Sequence, residues 1–257
     1  DFKESLFYLW LPVGVILALV LPANFSTTAI TFSMIIMLVF LGGYPFKYIA
    51  TILGLGILAL ALFVLSVKAF PDTIKNSRID TWSNRIENFV SGETEDNYQA
   101  EKAKVAIASG ELYGKGPGKS VQKNFLPQSS SDFIYAIIGE EFGLIGAVFI
   151  IMLYLILLYR MVIVATKTIT IFGTLLVLGV GLPIVFQALI NMAVAVGLFP
   201  VTGQPLPLIS TGGTSIWMTC FAIGIVLSVS ATNNKEDLIS HKNEMENPLD
   251  ILHETVG

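Results

Sequence analysis

Histidine, cysteine and charge are all scarce in this chain of 257 residues, which has two histidines, one cysteine and 13% Asp, Glu, Lys and Arg together. Each scarcity removes a class of function. A single cysteine, Cys220, can form no intrachain disulfide and no cysteine-based metal cluster; its ordinary role is that of a small buried apolar residue. Both histidines, His241 and His253, fall in the polar C-terminal stretch. The rest of the chain is left without a Ser–His pair for a hydrolytic triad and without a histidine-based zinc site. A net charge of −4 offers no basic footprint for nucleic acid. The low charge goes with 54% hydrophobic residues and a mean hydropathy of +0.73, whereas soluble domains carry about 25% charged residues. This is the composition of a membrane protein. The chain opens at Asp1, with neither Met nor the charged n-region of a signal peptide, and reads as a piece of a longer protein.

What the chain has in abundance is apolar runs. Six segments, 6–22, 27–43, 48–67, 142–159, 169–199 and 214–230, approach or exceed the ~20 apolar residues that a helical span needs. Segment 169–199 is too long for one straight span, and Pro183 within it is the expected kink. Gly54, Gly56, Gly143, Gly146, Gly179 and Gly181 lie inside the spans, where small residues allow close helix packing. The fold expected is an all-α membrane protein, a polytopic helical bundle with a long extracytoplasmic loop containing short helices. Its parts are three spans over 1–67, the loop over 68–133, three more spans over 134–230 and a polar, disordered cytoplasmic tail over 231–257.

Orientation follows from positive charge. One alternating set of connections holds Lys3, Lys47, Arg160, Lys167, Lys235 and Lys242; the short connections of the other set, near 23–26 and 200–213, hold no Lys or Arg. The long loop carries nine, but loops above about 60 residues translocate largely regardless of charge. The tail and the short basic turns are therefore assigned to the cytoplasm and the long loop to the outside. Within that loop, YQAEKAKVAIASGEL (98–112) has the composition of a short surface helix ended by Gly110.

The same loop ends in GKGPGKS, which invites a phosphate-loop reading. Spacing refutes it. A nucleotide loop needs Gly, four residues and then Gly-Lys-Ser/Thr, and counting back from Gly118 reaches Tyr113. What remains is a Gly-rich turn carrying Lys115, Lys119 and Lys123, either a solvated basic face or a site for the phosphates of a lipid headgroup.

Carboxylates are the remaining chemistry. Asp132 follows three serines and stands where a helix should start, so it could cap free N–H groups or act as a base. Glu140 and Glu141 read as the interfacial end of the same helix. On a continuous helix Asp132 and Glu140 would be separated by a rise of about 12 Å, beyond the ~5–9.5 Å of paired glycosidase carboxylates. A single-base mechanism fits better. Gln187 and Asn191 are four apart on one helix face; helix-to-helix bonding and a watery cavity both suit them. The segment FPVTGQPLPLISTGGTS, rich in Pro and Gly, suggests a re-entrant or tightly packed cap.

FLPQSSSDFIYAIIGEEFGLIG, FQALINMAVAVGLFP, LPLISTGGTS and YQAEKAKVAIASGELYGKGPGKSVQK, in that combination, resemble the FtsW/RodA/SpoVE (SEDS) family of cell-wall polymerases. GKSVQKNFLP is more similar to the FtsW division branch. The resemblance implies a ten-span fold with the last six spans here, and polymerisation of lipid II, an undecaprenyl-pyrophosphate-linked disaccharide-pentapeptide, into glycan strands at the outer face of the bacterial cytoplasmic membrane, at the division septum. It implies Asp132 as the essential aspartate, with Lys119, Lys123, Gln99, Ser210, Gln187 and Asn191 as substrate-side candidates and Tyr98 ordering the loop. A divalent cation (Mg or Mn), no organic cofactor, and a class B penicillin-binding transpeptidase with other division proteins as partners are further implications.

The chain departs from the family pattern in several places. Gln128 and Ser130 stand where the family often has Glu and His, Lys102 replaces a second glutamine, and LPANFST lacks the acidic residue of an early motif. Two rival functions remain open: a flippase moving lipid II, and a non-catalytic scaffold that recruits a transpeptidase.

Overall fold

Backbone that crosses a lipid layer must satisfy its polar groups internally, which helices do segment by segment. The computed structural model describes residues 2–69 and 95–245, and every regular element among them is helical. In chain order they are α1 (Leu11–Val20, led in by Phe2–Ser5 and a π-helical turn, Leu6–Trp10), α2 (Phe25–Leu41), α3 (Phe46–Ala69), α4 (Glu95–Gly110), α5 (Ile134–Lys167), α6 (Ile171–Ala195) and α7 (Gly213–Met245). A 3-10 turn, Gln122–Asn124, interrupts the connection between α4 and α5.

Among the described residues, three helices are long and apolar enough to cross a membrane: Ile134–Lys167, Ile171–Ala195 and Gly213–Asn233. Three shorter apolar helices, Leu6–Val20, Phe25–Leu41 and Phe46–Ala59, occupy the first three expected segments. The surplus length of 169–199 is taken up by ending α6 at Ala195, and the helix runs through Pro183. Side chains set two of the starts: Asn24 Oδ1 accepts from Thr27 N at 3.1 Å, and Thr170 Oγ1 accepts from Gly173 N at 3.1 Å. Helix α7 continues past the expected boundary at 230, where Asn233 Nδ2 donates to Thr168 Oγ1 at 2.9 Å and ties α7 to the α5–α6 turn. Residues 246–257 of the tail lie outside the described residues, as do residues 70–94 of the long loop.

The core runs along α5 and α6, through Tyr154, Met161, Val177, Val185 and Met192, and reaches Ala103 and Ala106 of α4. Helix α4 approaches α5 backbone to backbone. A methyl group on Gly110 would stand 1.9 Å from the Gly139 carbonyl oxygen, so this crossing admits only glycine.

Helix α5 is broken. Gly143 has φ 66 and ψ −164, which no helix tolerates, so it is a break point and not the packing glycine that the sequence suggested. The break strands carbonyls before it and N–H groups after it, and residues 111–116 fill the gap. Lys115 N donates to Glu140 O (3.0 Å) and Gly116 N to Glu141 O (2.9 Å), while Leu144 N donates to Glu111 O (2.9 Å) and Ile145 N to Leu112 O (3.3 Å). The loop's backbone thereby completes the hydrogen bonding of a membrane helix.

Gly143→Ala should therefore be destabilising by at least the ~1–3 kcal/mol typical of overpacking, because its methyl would lie 2.5 Å from Gly114 N and from Leu112 O at a positive φ. Gly54→Ala, with nothing within 4 Å, should be neutral or slightly stabilising. Thermal midpoints of the two purified variants check the contrast.

Candidate active site

Asp132 lies in the turn that precedes α5. The N-cap position belongs to Phe133, without any side-chain cap, so the Asp132 carboxylate does not perform the capping role that its position suggested. The turn is held instead by one carbonyl: Gln128 O accepts from Ser131 N and Asp132 N, both at 3.0 Å, and from Phe133 N at 3.4 Å. Gln128 itself has φ 59, an uncommon conformation for a residue with a side chain. Ser131 Oγ donates to Asp132 Oδ1 at 2.7 Å, and Oδ2 has no partner among the described residues. The half-buried carboxylate thus keeps one oxygen free to accept.

The cap loop 198–212 packs on this turn. Ser210 Oγ donates to Ser131 O (2.5 Å) and accepts from Leu206 N (2.7 Å); Thr211 donates to Ser130 O through both N and Oγ1, each at 2.9 Å. From α6, Asn191 Nδ2 donates to Asp132 O and to Gln204 O, both at 2.7 Å, and Gln187 Nε2 donates to Pro205 O at 2.9 Å. Tyr154 OH of α5 reaches Pro207 O, and Gln204 Nε2 reaches Thr27 Oγ1 of α2 at 2.9 Å. Gln187 and Asn191 therefore hold loop backbone in place of bonding to another helix. Asn191 is 1% exposed and Ser210 2%, so what these two side chains hold in this structure is the Asp132 turn itself. The Pro- and Gly-rich cap is tightly packed, as its composition suggested.

An apolar groove of about 580 Å³ opens between α2 and α6, lined by residues that include Phe25, Ile30, Phe186, Ile190, Phe199 and Thr202. Next to Thr202, Gly203 passes against the carboxylate: a methyl built on it would stand 3.6 Å from Asp132 Oδ2. Gly203 thus stands in the chain between the groove lining, which ends at Thr202, and the residues around the free oxygen.

Lys119 and Lys123 are exposed and have no partner among the described residues. Lys115, third of the basic residues in the turn, is engaged: its Nζ lies 2.6 Å from Glu140 Oε1. Glu140 is fully buried within the protein, an enclosure that the GEEFG pattern does not reveal. No residue spacing announces this, because the partners lie 18 to 31 positions away. Gln99 and Tyr98 sit on α4, where the Tyr98 ring takes a cation–π contact from Lys102 at 5.2 Å. The structure draws neither of them into a contact with the Asp132 turn.

The FtsW/RodA/SpoVE family profile, described as "Cell cycle protein", matches residues 2–235. The chain belongs to this family. It is 36% identical over 232 residues to a probable peptidoglycan glycosyltransferase FtsW of Hydrogenovibrio crunogenus, covering 88% of this chain and 57% of the relative. It is 35% identical over 227 residues to that of Escherichia coli O157:H7, covering 85% and 52%. The chain thus spans about half the length of these curated relatives. Among solved structures it is similar to a chain from a study of structural coordination of polymerization and crosslinking by a peptidoglycan synthase complex. That match has a TM-score of 0.63 and 25% identity, and covers 85% of this chain and 59% of the other. The protein is an all-helical membrane protein of this family.

Asn191→Ala should test the turn's anchorage. It leaves the carbonyls of Asp132 and Gln204 without their buried donor, and an unsatisfied buried group costs ~1–3 kcal/mol. A lowered thermal midpoint and faster proteolysis within 198–212 are expected, with a smaller effect from Gln187→Ala, which frees one carbonyl.

Proposed function

We propose that the protein, with the remainder of its fold, is a peptidoglycan glycosyltransferase that polymerises lipid II at the outer face of the bacterial cytoplasmic membrane during division, beside a class B penicillin-binding transpeptidase. The single observation that carries the reading is a carboxylate with one free oxygen, held by backbone and serine contacts against Gly203, the residue that follows the lining of an apolar groove at Thr202. A lipid-linked sugar needs both features. Its hydrocarbon tail needs an apolar channel, and its sugar needs a base where the tail ends.

The chemistry follows from the substrate. The growing strand's anomeric carbon carries a pyrophosphate, and the 4-hydroxyl of the incoming lipid II attacks that carbon. Asp132 takes the hydroxyl proton as the new C–O bond forms and the bond to pyrophosphate breaks, releasing the lipid pyrophosphate. Negative charge grows on the leaving group, where Lys119 and Lys123 are the candidate stabilisers. Among the described residues no three His, Cys, Asp or Glu side chains converge as a metal cage. The free Oδ2 of Asp132 is the oxygen that takes the proton, so magnesium or manganese, if it takes part, would depend on the substrate's phosphates and water for its ligands. Such a cation would neutralise charge on the departing pyrophosphate.

Asp132→Asn in the full-length protein is the test. The amide keeps the shape and removes the basicity, and a general base contributes about 10²–10⁴-fold. Polymerisation from purified lipid II should fall by that factor while co-purification with the transpeptidase is kept. Near-normal polymer would overturn the base and favour a lipid transporter or a scaffold.

A further inference from the structure

We infer that Glu140 is a positioning residue of this site: its buried carboxylate clamps residues 115–122 to α5 and so fixes Lys119 and Lys123 for the substrate's phosphates. The inference rests on the polymerase reading for the substrate and on the structure alone for the clamp.

The carboxylate collects donors from four places along the loop and one on α4. Lys115 Nζ reaches Oε1 at 2.6 Å and Ser120 Oγ reaches Oε2 at 2.5 Å. Val121 N donates to Oε1 at 3.2 Å and Gln122 N to Oε2 at 3.1 Å, and Ser109 Oγ lies 3.4 Å from Oε1. A buried carboxylate is costly unless its lone pairs are filled, and here both oxygens are. The partners show what the group is for. Three of them are consecutive residues, 120–122, and the two free lysines flank that tripeptide on either side. Ser120 extends the hold, accepting from Lys123 N at 3.1 Å.

Lysine side chains are long and flexible, so what the fold can fix is where their stems start. It does so by tying the tripeptide between them to one carboxylate. Glu140 lies on the half-helix that Asp132 precedes, before the break at Gly143. Lysine arm and carboxylate turn thus share one rigid piece. The charge of Glu140 also removes Lys115 from the candidates for phosphate, leaving Lys119 and Lys123 as the lysines of this arm without a partner among the described residues.

The experiment uses the full-length protein, purified lipid II and trypsin. In Glu140→Gln the amide has one acceptor oxygen and presents N–H groups to N–H donors, so the arm should loosen. Tryptic cleavage after Lys119 and Lys123, followed by mass spectrometry, should quicken about tenfold while the rest of the pattern stays. KM for lipid II should rise, because the bound pyrophosphate is already charged, and kcat should fall as well, because the lysines also meet the charge that grows on the leaving group. Together kcat/KM should drop about ten- to hundredfold, the range for losing a charge-assisted contact. Glu140→Asp, which keeps the charge, should recover part of the loss. In a Lys119→Gln, Lys123→Gln background, Glu140→Gln should add little further rise in KM, because it acts through those lysines. Ser120→Ala, which keeps the buried charge and should fold even if Glu140→Gln does not, should move cleavage and KM in the same direction by less.

Unchanged cleavage in both Glu140→Gln and Ser120→Ala would overturn the clamp. A KM effect that adds in full to the lysine changes would overturn the route through them. Faster cleavage in a protein whose polymerisation ignores Asp132 would uphold the clamp and sink only the polymerase reading on which the substrate half rests.

Discussion

Where a membrane helix breaks, its freed backbone groups must find partners, and at Gly143 they find them in residues 111–116. The loop side of the structure depends on those four hydrogen bonds. They set the register of the Gly-rich turn against α5 and bring Lys115 to Glu140. They also fix where α4 ends, one residue before the inserted segment and pressed onto Gly139. A side chain at Gly143 or Gly114 would occupy the space of the partner strand, so the arrangement excludes all but glycine at both positions. The loop is in this sense part of α5 and not an appendage of it.

The second anchorage comes from the bundle interior. Polar side chains in apolar helices are expensive, and here they are spent on loop carbonyls: Asn191 on residues 132 and 204, Gln187 on 205 and Tyr154 on 207, while Ser210 of the cap loop bonds to 131. The cap loop and the Asp132 turn are thus bonded to each other and to α5 and α6. If Asp132 is the base proposed above, this pre-positioning is what the role needs, since positioning during the reaction would cost what it gains. The groove between α2 and α6 follows from the same packing, because Gln204 bridges to Thr27 at its end and the cap residues 199–202 form part of its wall.

Much of this was legible in the sequence, for physical reasons. Apolar runs mark helices in lipid whatever surrounds them, so all six segments became helices. The Ala-rich stretch at 98–112 became α4, and the Pro- and Gly-rich stretch after Phe199 became a packed cap. Less legible was anything that depends on a distant partner. The enclosure of Glu140 was not legible, because five donors, from Ser109 to Gln122, reach it only once residues 111–116 are threaded into the break. Gly143 looked like a packing glycine, since one letter does not distinguish close approach from positive φ. Asp132 looked able to cap α5, and the helix begins one residue later than that role requires. The polar residues after 230 suggested disorder, yet α7 carries on to Met245.

The central claim is that the loop before α5 is built into the membrane helix, and amide hydrogen exchange measures it directly. In the full-length protein in lipid nanodiscs, the N–H groups of Lys115, Gly116, Leu144 and Ile145 should exchange as slowly as those in the middle of α6, because all four are donors across the break. Exchange of these four amides at the rate of an open surface loop, with α6 still protected, would contradict the account.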